Sequence, residues 1–275
     1  MFEGLTFLAV SLILCVSSGD DRSDSMKHMR SIMRADGRQP NQLRTIKITP
    51  NFIGNAAGSV LIEWGRTRVI CTATLEEKVP PFKVGSGEGW LTAEYAMLPA
   101  STSTRKPRET LKPDGRSMEI RRLIGRAMRA AFDFAALGER TVTLDCDVIE
   151  ADGGTRTASV TGAFVALALA VGKWRAEGML ERSPVIGHVA AVSVGIVGGE
   201  PMLDLCYRED SSADVDLNAV MTEDGRFIEV QGTGEKAAFT KAELDAMLKL
   251  ACKGIRQLIR EQKKVLKGVN YLDAQ

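Results

Sequence analysis

Residues 141–174 of this sequence read TVTLDCDVIEADGGTRTASVTGAFVALALAVGKW. Residues 141–149 alternate apolar and polar side chains, which predicts a strand with one buried face. The run from Ser159 to Trp174 is apolar on nearly every side, which is typical of a helix buried between other elements. The stretch therefore predicts a strand, a glycine-containing loop and a core helix in succession.

Upstream of this stretch, the sequence predicts a hairpin, a long irregular segment and a second helix. Residues 60–64 and 67–75 are rich in β-branched side chains and flank a Gly-Arg pair, a pattern that favours a hairpin. Residues 79–116 read as one irregular segment, which at this length is commonly functional or disordered. Residues 117–132 repeat apolar side chains at helical spacing, and Ser117 is predicted to cap that helix.

Downstream, strands followed by a helix occur again. Two hairpins are predicted through GGEP and EDGR, pairing residues 188–197 with 202–206 and residues 215–221 with 227–231. Thr240 and Glu243 form a capping box ahead of a sustained apolar stripe, which predicts a long closing helix. Two successive units of strands and then a helix indicate an α+β fold with two lobes, which meet near residues 175–183.

The composition is that of a folded soluble protein. The 275 residues include 36 Lys plus Arg and 35 Asp plus Glu, for a net charge of +1, which excludes a uniformly basic nucleic-acid binder. With two histidines in the chain, a His-rich metal site or a His-dependent triad is not expected. The five cysteines form no CxxC pair and lie in apolar runs, so we expect buried free thiols and a reducing compartment, the cytoplasm.

The N-terminal 32 residues leave three interpretations open. Residues 5–18, LTFLAVSLILCVSS, are long enough for a signal-peptide core but short for a membrane span, and no positive charge precedes them. The segment is an export signal, an organellar presequence, or a stretch upstream of the true start. Met26, Met29 and Met33 are all available as later initiators. We expect no membrane partner for the rest of the chain.

The neutral total charge conceals two oppositely charged segments. Residues 105–129 hold nine basic and three acidic residues, and residues 199–224 hold eight acidic residues and one basic residue. The first segment is a solvated loop and helix face, or else a surface for a polyanion. Its arginines favour the polyanion, because a guanidinium forms paired hydrogen bonds to phosphate that Lys cannot reproduce.

Two shorter motifs could hold an anion and a metal ion. DGGTRT at residues 152–157 lies between a strand and a helix, so its backbone N–H groups, the helix start and Arg156 could bind phosphate; the alternative is an ordinary turn. REDSSADVD at residues 208–216 follows a strand, and Asp210 and Asp216 could both approach one Mg²⁺; the alternative is a carboxylate-rich turn. No nucleophile triad is present, so chemistry is expected to rely on a bound anion and metal.

Together these motifs closely resemble the ribonuclease PH family of phosphate-dependent 3′-to-5′ exoribonucleases. The resemblance covers about 240 residues, from MRADGR at Met33 to the closing helix. Its most specific stretches are VPPF at 79–82, GWLTAEYAMLP at 89–99, GRSMEIRRLIGRAMRA at 115–130, DCDVIEADGGTRTASVTGAF at 145–164, EDSSADVD at 209–216 and EVQGTGE at 229–235. Because the family begins at a motif like MRADGR, the resemblance favours Met33 as the natural start.

The resemblance implies two β-α-β lobes assembled as a homo-hexameric ring of three dimers. The implied domains are an extension at residues 1–32, a first lobe at 33–174, a second lobe at 175–268 and a tail at 269–275. Matched motifs imply that Arg116, Gly154, Thr155 and Arg156 bind inorganic phosphate, and that Asp210 and Asp216 bind Mg²⁺.

Further implications concern the RNA. Arg105 and Arg108 match family loop arginines that contact RNA, whereas Ala100 stands where many relatives have an arginine, so the RNA-contact set departs from the family pattern at that position. The expected activity is phosphorolysis of RNA 3′ ends, with precursor tRNA as the usual substrate. The reaction releases nucleoside 5′-diphosphates and is reversible as nucleotide addition.

Two other functions compete with this one. A non-catalytic RNA-binding ring subunit of the exosome type would have lost the phosphate and metal groups, but Arg116, Arg156, Asp210 and Asp216 are all present. A hydrolytic Mg²⁺ nuclease would release nucleoside monophosphates without phosphate.

Overall fold

The computed structural model describes residues 34–108 and 114–273. The predictions for the apolar run at residues 5–18 and for a start at Met33 lie outside these residues. The chain divides into two compact units, Met1–Gly37 and Arg38–Gln275. In the described part of the first unit, the N–H of Gly37 donates to the carbonyl of Arg34 at 2.8 Å and closes a turn. The strands and helices of the described residues all belong to the second unit.

The first sheet has five strands in the order β1-β2-β3-β5-β4, with β4 parallel to β5 and the other neighbours antiparallel. The predicted hairpin is confirmed as β2 with β3, and the predicted strand ahead of the glycine loop is confirmed as β5. The strands are β1 (Ile46–Pro50), β2 (Gly58–Trp64), β3 (Thr67–Glu76), β4 (Trp90–Met97) and β5 (Thr141–Glu150).

Strand β4 corrects one prediction, because it lies inside the segment 79–116 that was expected to be irregular. A short 3₁₀ turn at Pro81–Lys83 also interrupts that segment. The buried face of β4 carries Leu91, Ala93 and Tyr95, which alternate as strand residues do. Its two alanines and one glutamate have low strand propensity, so residue types alone do not predict a strand here.

The second sheet has four antiparallel strands in the order β7-β6-β8-β9. Both predicted hairpins are confirmed, as β6 with β7 and as β8 with β9. The strands are β6 (Val189–Val197), β7 (Glu200–Leu203), β8 (Val215–Thr222) and β9 (Phe227–Gly234).

The described residues also form five helices: α1 (Gly115–Arg129), α2 (Phe134–Leu137), α3 (Thr155–Ala176), α4 (Tyr207–Asp210) and α5 (Lys241–Val265). The predicted cap at Ser117 is wrong: Asp114 is the cap, and its carboxylate accepts from the N–H of Ser117 at 2.6 Å. A carboxylate at this position satisfies a free N–H and complements the positive helix end. The predicted capping box of Thr240 and Glu243 is confirmed at the start of α5.

Helix α3 forms the centre of the fold, because it packs against β2 and β3 of the first sheet and against β6 of the second. The approach to β2 is so close that a Cβ atom at Gly58 would clash with the carbonyl of Ala166. This helix is long and apolar enough to cross a membrane, but 83% of its apolar window is buried in the protein. It is therefore the core helix of an α+β fold, and its N-terminus lies where β5 ends.

Candidate active site

The glycine loop after β5 adopts a backbone that glycine alone tolerates easily. Gly153 and Gly154 have φ angles of 77° and 68°. A Cβ atom at Gly153 would lie 2.6 Å from the carbonyl oxygen of Leu205, so the loop passes directly against the segment that leads into α4. Gly154 is the N-cap of α3 and has no side chain to accept from the first-turn N–H groups. An anion can therefore take the place of a capping side chain.

Thr155 and Arg156 follow at the start of α3, and both contact other elements. The hydroxyl of Tyr95 on β4 donates to Thr155 Oγ1 at 2.9 Å. Arg156 Nη1 donates to Gln231 Oε1 on β9 at 2.7 Å and to Glu119 Oε1 on α1 at 3.3 Å. Arg156 thus lies between two neighbouring elements that fix its direction.

The sequence predicts no catalytic or binding role for Tyr95, Glu119 or Gln231. Gln231 does lie within EVQGTGE, one of the stretches that carry the family resemblance. Tyr95 lies on the strand that was missed, so its position beside the helix start could not be seen.

The structure brings the basic and acidic segments together at this point. Burial raises the pKa of Asp210, and the positive charges of Arg116 and Arg156 oppose that rise. Arg116 is exposed at the second position of α1, with its side chain open to solvent. The predicted phosphate arginines and the predicted metal carboxylate therefore act on one another electrostatically.

Asp216 on β8 is the most perturbed carboxyl of the site. Burial, and then the neighbouring negative charge of Asp210, raise its pKa to about 6. The amide of Asn218 donates to Asp216 Oδ2 at 3.1 Å, whereas Asp216 Oδ1 is buried with no hydrogen-bond partner among the described residues. A buried oxygen without a donor costs free energy, which a cation could recover.

Asp210 and Asp216 are the residues that could hold a metal ion here. Among residues 34–108 and 114–273, no group of three or more His, Cys, Asp or Glu side chains is arranged for a metal. Two carboxylates suffice for Mg²⁺, which often keeps several waters and takes further oxygens from substrate phosphates. The unsatisfied oxygen of Asp216 fits such an ion.

The predicted RNA contacts, Arg105 and Arg108, lie in the coil that leads into α1. Both are exposed in the coil between β4 and α1, next to the undescribed residues 109–113. Within the described part of the chain, neither side chain forms a hydrogen bond or an ion pair. Their role stays a prediction.

A cavity of about 400 Å³ opens beside Arg156, between α1 and β9. Its walls include Glu119 and Gln231, the two side chains that accept hydrogen bonds from Arg156, and they carry charged groups of both signs. Its lining residues are Gly115, Met118, Glu119, Arg122, Arg126, Glu229 and Gln231.

Comparison with known proteins gives two family matches. The model described as "3' exoribonuclease family, domain 1" matches residues 42–171, and the model for domain 2 of the same family matches residues 187–254. Two curated relatives, both named Ribonuclease PH, come from Corynebacterium efficiens and Corynebacterium glutamicum. They are 57% and 58% identical over 243 residues, which cover 88% of this chain and 99% of each relative.

Two solved structures share the fold at lower identity. The first is described as "archaeoglobus fulgidus exosome with RNA bound to the active site". It has a TM-score of 0.72 and 24% identity, and the match covers 87% of this chain and 96% of that one. The second is rice (Oryza sativa) Rrp46, with a TM-score of 0.70 and 17% identity, covering 85% and 100%.

Proposed function

Because this chain belongs to the ribonuclease PH family and is a phosphorolytic 3′-to-5′ exoribonuclease, we propose that Arg116, Arg156 and the start of α3 bind the attacking phosphate. The observation that carries the proposal is the uncapped first turn of α3, which carries Arg156 held by Glu119 and Gln231. The positive charges of Arg116 and Arg156 also oppose the rise in the pKa of Asp210, which supports their closeness to the site. Two guanidinium groups and a helix N-terminus are the donors that best hold a phosphate dianion.

The reaction needs these donors because both reacting groups are anionic. A phosphate oxygen attacks the phosphorus of the last phosphodiester and forms a P–O bond, while the bond to the preceding 3′ oxygen breaks. That oxygen keeps the bonding electron pair, takes up a proton and becomes the new RNA 3′ end, and the released nucleotide is a 5′-diphosphate. Arg116 and Arg156 lower the repulsion between the two phosphoryl groups and orient the attacking oxygen.

Glu119 and Gln231 have a supporting part in this proposal. They accept the hydrogen bonds of Arg156 Nη1, so the guanidinium is held before phosphate arrives. Donors that are already fixed stabilise the transition state more than mobile donors do, because they need less reorganisation during the reaction.

Asp210 and Asp216 are proposed to hold Mg²⁺. When bound there, Mg²⁺ would stabilise negative charge on the transferring phosphoryl group and on the departing oxygen. The support is the buried, unpartnered oxygen of Asp216 and the closeness of Asp210 that raises its pKa.

A phosphate-dependence assay tests the phosphate site. RNA labelled at its last nucleotide is incubated with the protein and Mg²⁺, with and without inorganic phosphate. The labelled nucleoside diphosphate should form only with phosphate, and Arg156→Ala should lower the rate by about a hundredfold or more.

Arg226→Ala is the matched control, because Arg226 is an exposed arginine on the β8–β9 turn that pairs with Asp224. It should keep the wild-type rate. A phosphate KM and rate for Arg156→Ala equal to those of the control would contradict the proposed phosphate site.

Arg105 and Arg108 are proposed to contact the RNA strand, with precursor tRNA as substrate. Their exposure and their place in the proline-containing coil ahead of α1 support this role. Arg105→Ala together with Arg108→Ala should raise KM for a tRNA with a 3′ extension while leaving KM for phosphate unchanged. Equal RNA KM values in mutant and wild type would refute it.

A homo-hexameric ring is proposed for the assembly. Phe82, Val84, Phe227 and Val230 are large apolar side chains between 42% and 69% exposed, and two of them lie on the edge strand β9. An apolar edge strand is normally covered by a partner. Light scattering during size-exclusion chromatography should give six times the chain mass; a monomer would reject the ring.

We also propose that the protein acts in the cytoplasm. Cys71, Cys146, Cys206 and Cys252 are free thiols in the structure, and the first two are buried. Free thiols are usual where the compartment is reducing. Fractionation with an antibody to the protein tests this location, and recovery outside the cytoplasmic fraction would contradict it.

A further inference from the structure

A buried carboxylate, Asp204, lies behind the glycine loop and is 1% exposed. It accepts from the backbone N–H of Arg44 at 2.7 Å and from the guanidinium of Arg44 at distances between 2.6 and 3.1 Å. Trp64 Nε1 donates to it at 2.9 Å, and Arg38 Nη1 pairs with it at 3.3 Å. The carboxylate thus holds Arg44 in one place from several directions.

The remaining donors of Arg44 reach the glycine loop. Nη1 donates to the carbonyl of Asp152 at 2.6 Å, and Nη2 donates to the carbonyl of Gly153 at 3.4 Å. Thr67 on β3 adds two bonds, since its hydroxyl donates to the carbonyl of Gly153 at 2.7 Å and accepts from the N–H of Asp152 at 2.9 Å. The backbone just ahead of α3 is therefore fixed by two buried side chains.

Arg44 keeps its positive charge in this position. Burial lowers the pKa of its guanidinium, but the nearby negative charge and hydrogen bonds of Asp204 outweigh burial and raise it. A fork-shaped cation can bond a carboxylate and two carbonyl groups at once, which an ammonium group cannot do.

The same network reaches the acidic side of the site. Arg38 Nη2 pairs with Glu209 at 3.6 Å, and Glu209 accepts from the N–H of Cys206 at 3.0 Å at the start of α4. The N–H of Tyr207 donates to the carbonyl of Asp152 at 3.1 Å. The loop that carries the proposed phosphate donors is thereby attached to the short helix that ends at Asp210.

We propose that Arg44, held by Asp204, is a positioning residue that fixes the glycine loop so that the start of α3 and Arg156 face the phosphate opposite Asp210. Arg44 acts through the loop carbonyls, which turns the loop N–H groups towards the phosphate. This inference rests on the proposed phosphate site and extends it to residues outside the quoted motifs.

The test is Arg44→Lys, assayed for phosphorolysis at saturating RNA over a range of inorganic phosphate concentrations. Lys keeps a positive charge beside Asp204 but cannot bond both loop carbonyls. KM for phosphate should rise about tenfold or more, because small displacements of binding groups are costly. A merely structural role would instead lower the active fraction, which reduces kcat and leaves KM for phosphate unchanged; a KM equal to wild type overturns the proposal.

Arg175→Lys is the matched control. Arg175 also pairs with a carboxylate, Asp273 at 2.8 Å, and donates to the carbonyls of Asn270 and Leu272 at 3.3 and 3.2 Å. It bonds the C-terminal segment, so its replacement should leave KM for phosphate unchanged. If the control raises KM for phosphate as much as Arg44→Lys does, the effect is general loosening and the proposal is wrong.

Two variants of Thr67 test the same fixing of the loop if Arg44→Lys does not fold. Thr67→Val removes the two hydrogen bonds of the hydroxyl to the loop and should raise KM for phosphate. Thr67→Ser keeps the hydroxyl, so its KM for phosphate should stay at the wild-type value. Equal KM values for these two variants overturn the proposal. Arg156→Ala in the same assay separates the two ideas: a normal KM there contradicts the phosphate site, while a raised KM there with a normal KM in Arg44→Lys contradicts the positioning role alone.

Discussion

Asp204 and Asp216 are two carboxylates close in sequence, and they differ in burial and in hydrogen-bond partners: Asp204 is buried, whereas Asp216 is half-buried. Asp204 accepts from the backbone and guanidinium of Arg44 and from the indole of Trp64. Asp216 accepts one bond from Asn218, and its other oxygen has no partner among the described residues. The first carboxylate is satisfied by the protein and the second is not.

The difference separates a structural role from a functional one. A satisfied buried carboxylate strengthens the fold it is bonded to, because removing it leaves charges and donors unpaired. An unsatisfied one weakens the fold and is retained where a ligand completes it. The partners of a carboxylate are therefore more informative about its role than its burial.

The largest expected effect is on stability, from Asp204→Ala. The substitution leaves the guanidinium of Arg44 buried without its carboxylate and the indole N–H of Trp64 without an acceptor. We expect a loss of about 3–5 kcal/mol in the free energy of unfolding, as for other broken buried pairs. Urea unfolding followed by circular dichroism measures it.

The control for that substitution is Asp224→Ala, which removes an exposed carboxylate from the β8–β9 turn and should change stability little. If Asp204→Ala is as stable as this control, the contrast between Asp204 and Asp216 is mistaken.

The second effect is on activity, from Asp216→Asn. Asn has nearly the same shape but lacks the charge that would hold Mg²⁺. The phosphorolysis rate should fall by about a hundredfold or more, while the variant stays folded. Initial rates measured at several Mg²⁺ concentrations test this, with Asp224→Asn as the control. A rate within twofold of that control would remove Asp216 from the site.

Much of the fold could be predicted because it depends on short-range patterns. The β2–β3 hairpin and the helix after the capping box of Thr240 and Glu243 follow from residues that are neighbours in sequence. Strand β4 was missed because Ala93 and Ala96 are poor strand formers, and its pairing with β5 decided its structure. Tertiary pairing of this kind is not encoded in the local segment.

The candidate site shows the same division. The glycine loop, Arg116, Arg156, Asp210 and Asp216 belong to recognisable motifs and could be named in advance. The bonds of Arg44 to Asp204 join residues 160 positions apart, and no spacing rule predicts them. Likewise, nothing in the sequence shows that one oxygen of Asp216 lacks a donor, since this depends on three-dimensional packing.

The smallest expected effect is a pH-dependent change in stability from the same Asp216→Asn variant, measured without metal. The pKa of Asp216 is raised from 3.8 to about 6 by burial and by Asp210. The folded protein therefore holds a proton on Asp216 between these values that the unfolded chain has released, so wild type loses this stability as pH rises through about 6. Asn does not titrate. Relative to wild type, the variant should gain about 2 kcal/mol between pH 4 and pH 7.

Asp224→Asn is the control for this measurement too. Bonds from Arg226 and then Thr222 lower the pKa of Asp224 to about 2, so its contribution changes below pH 4 and stays constant from pH 4 to pH 7. Adding Mg²⁺ at pH 7 should stabilise wild type and not Asp216→Asn. The metal should therefore offset the stability that the variant gains relative to wild type at this pH. A stability difference that does not vary with pH would show that Asp216 has a partner in solution, and the contrast with Asp204 would then no longer hold.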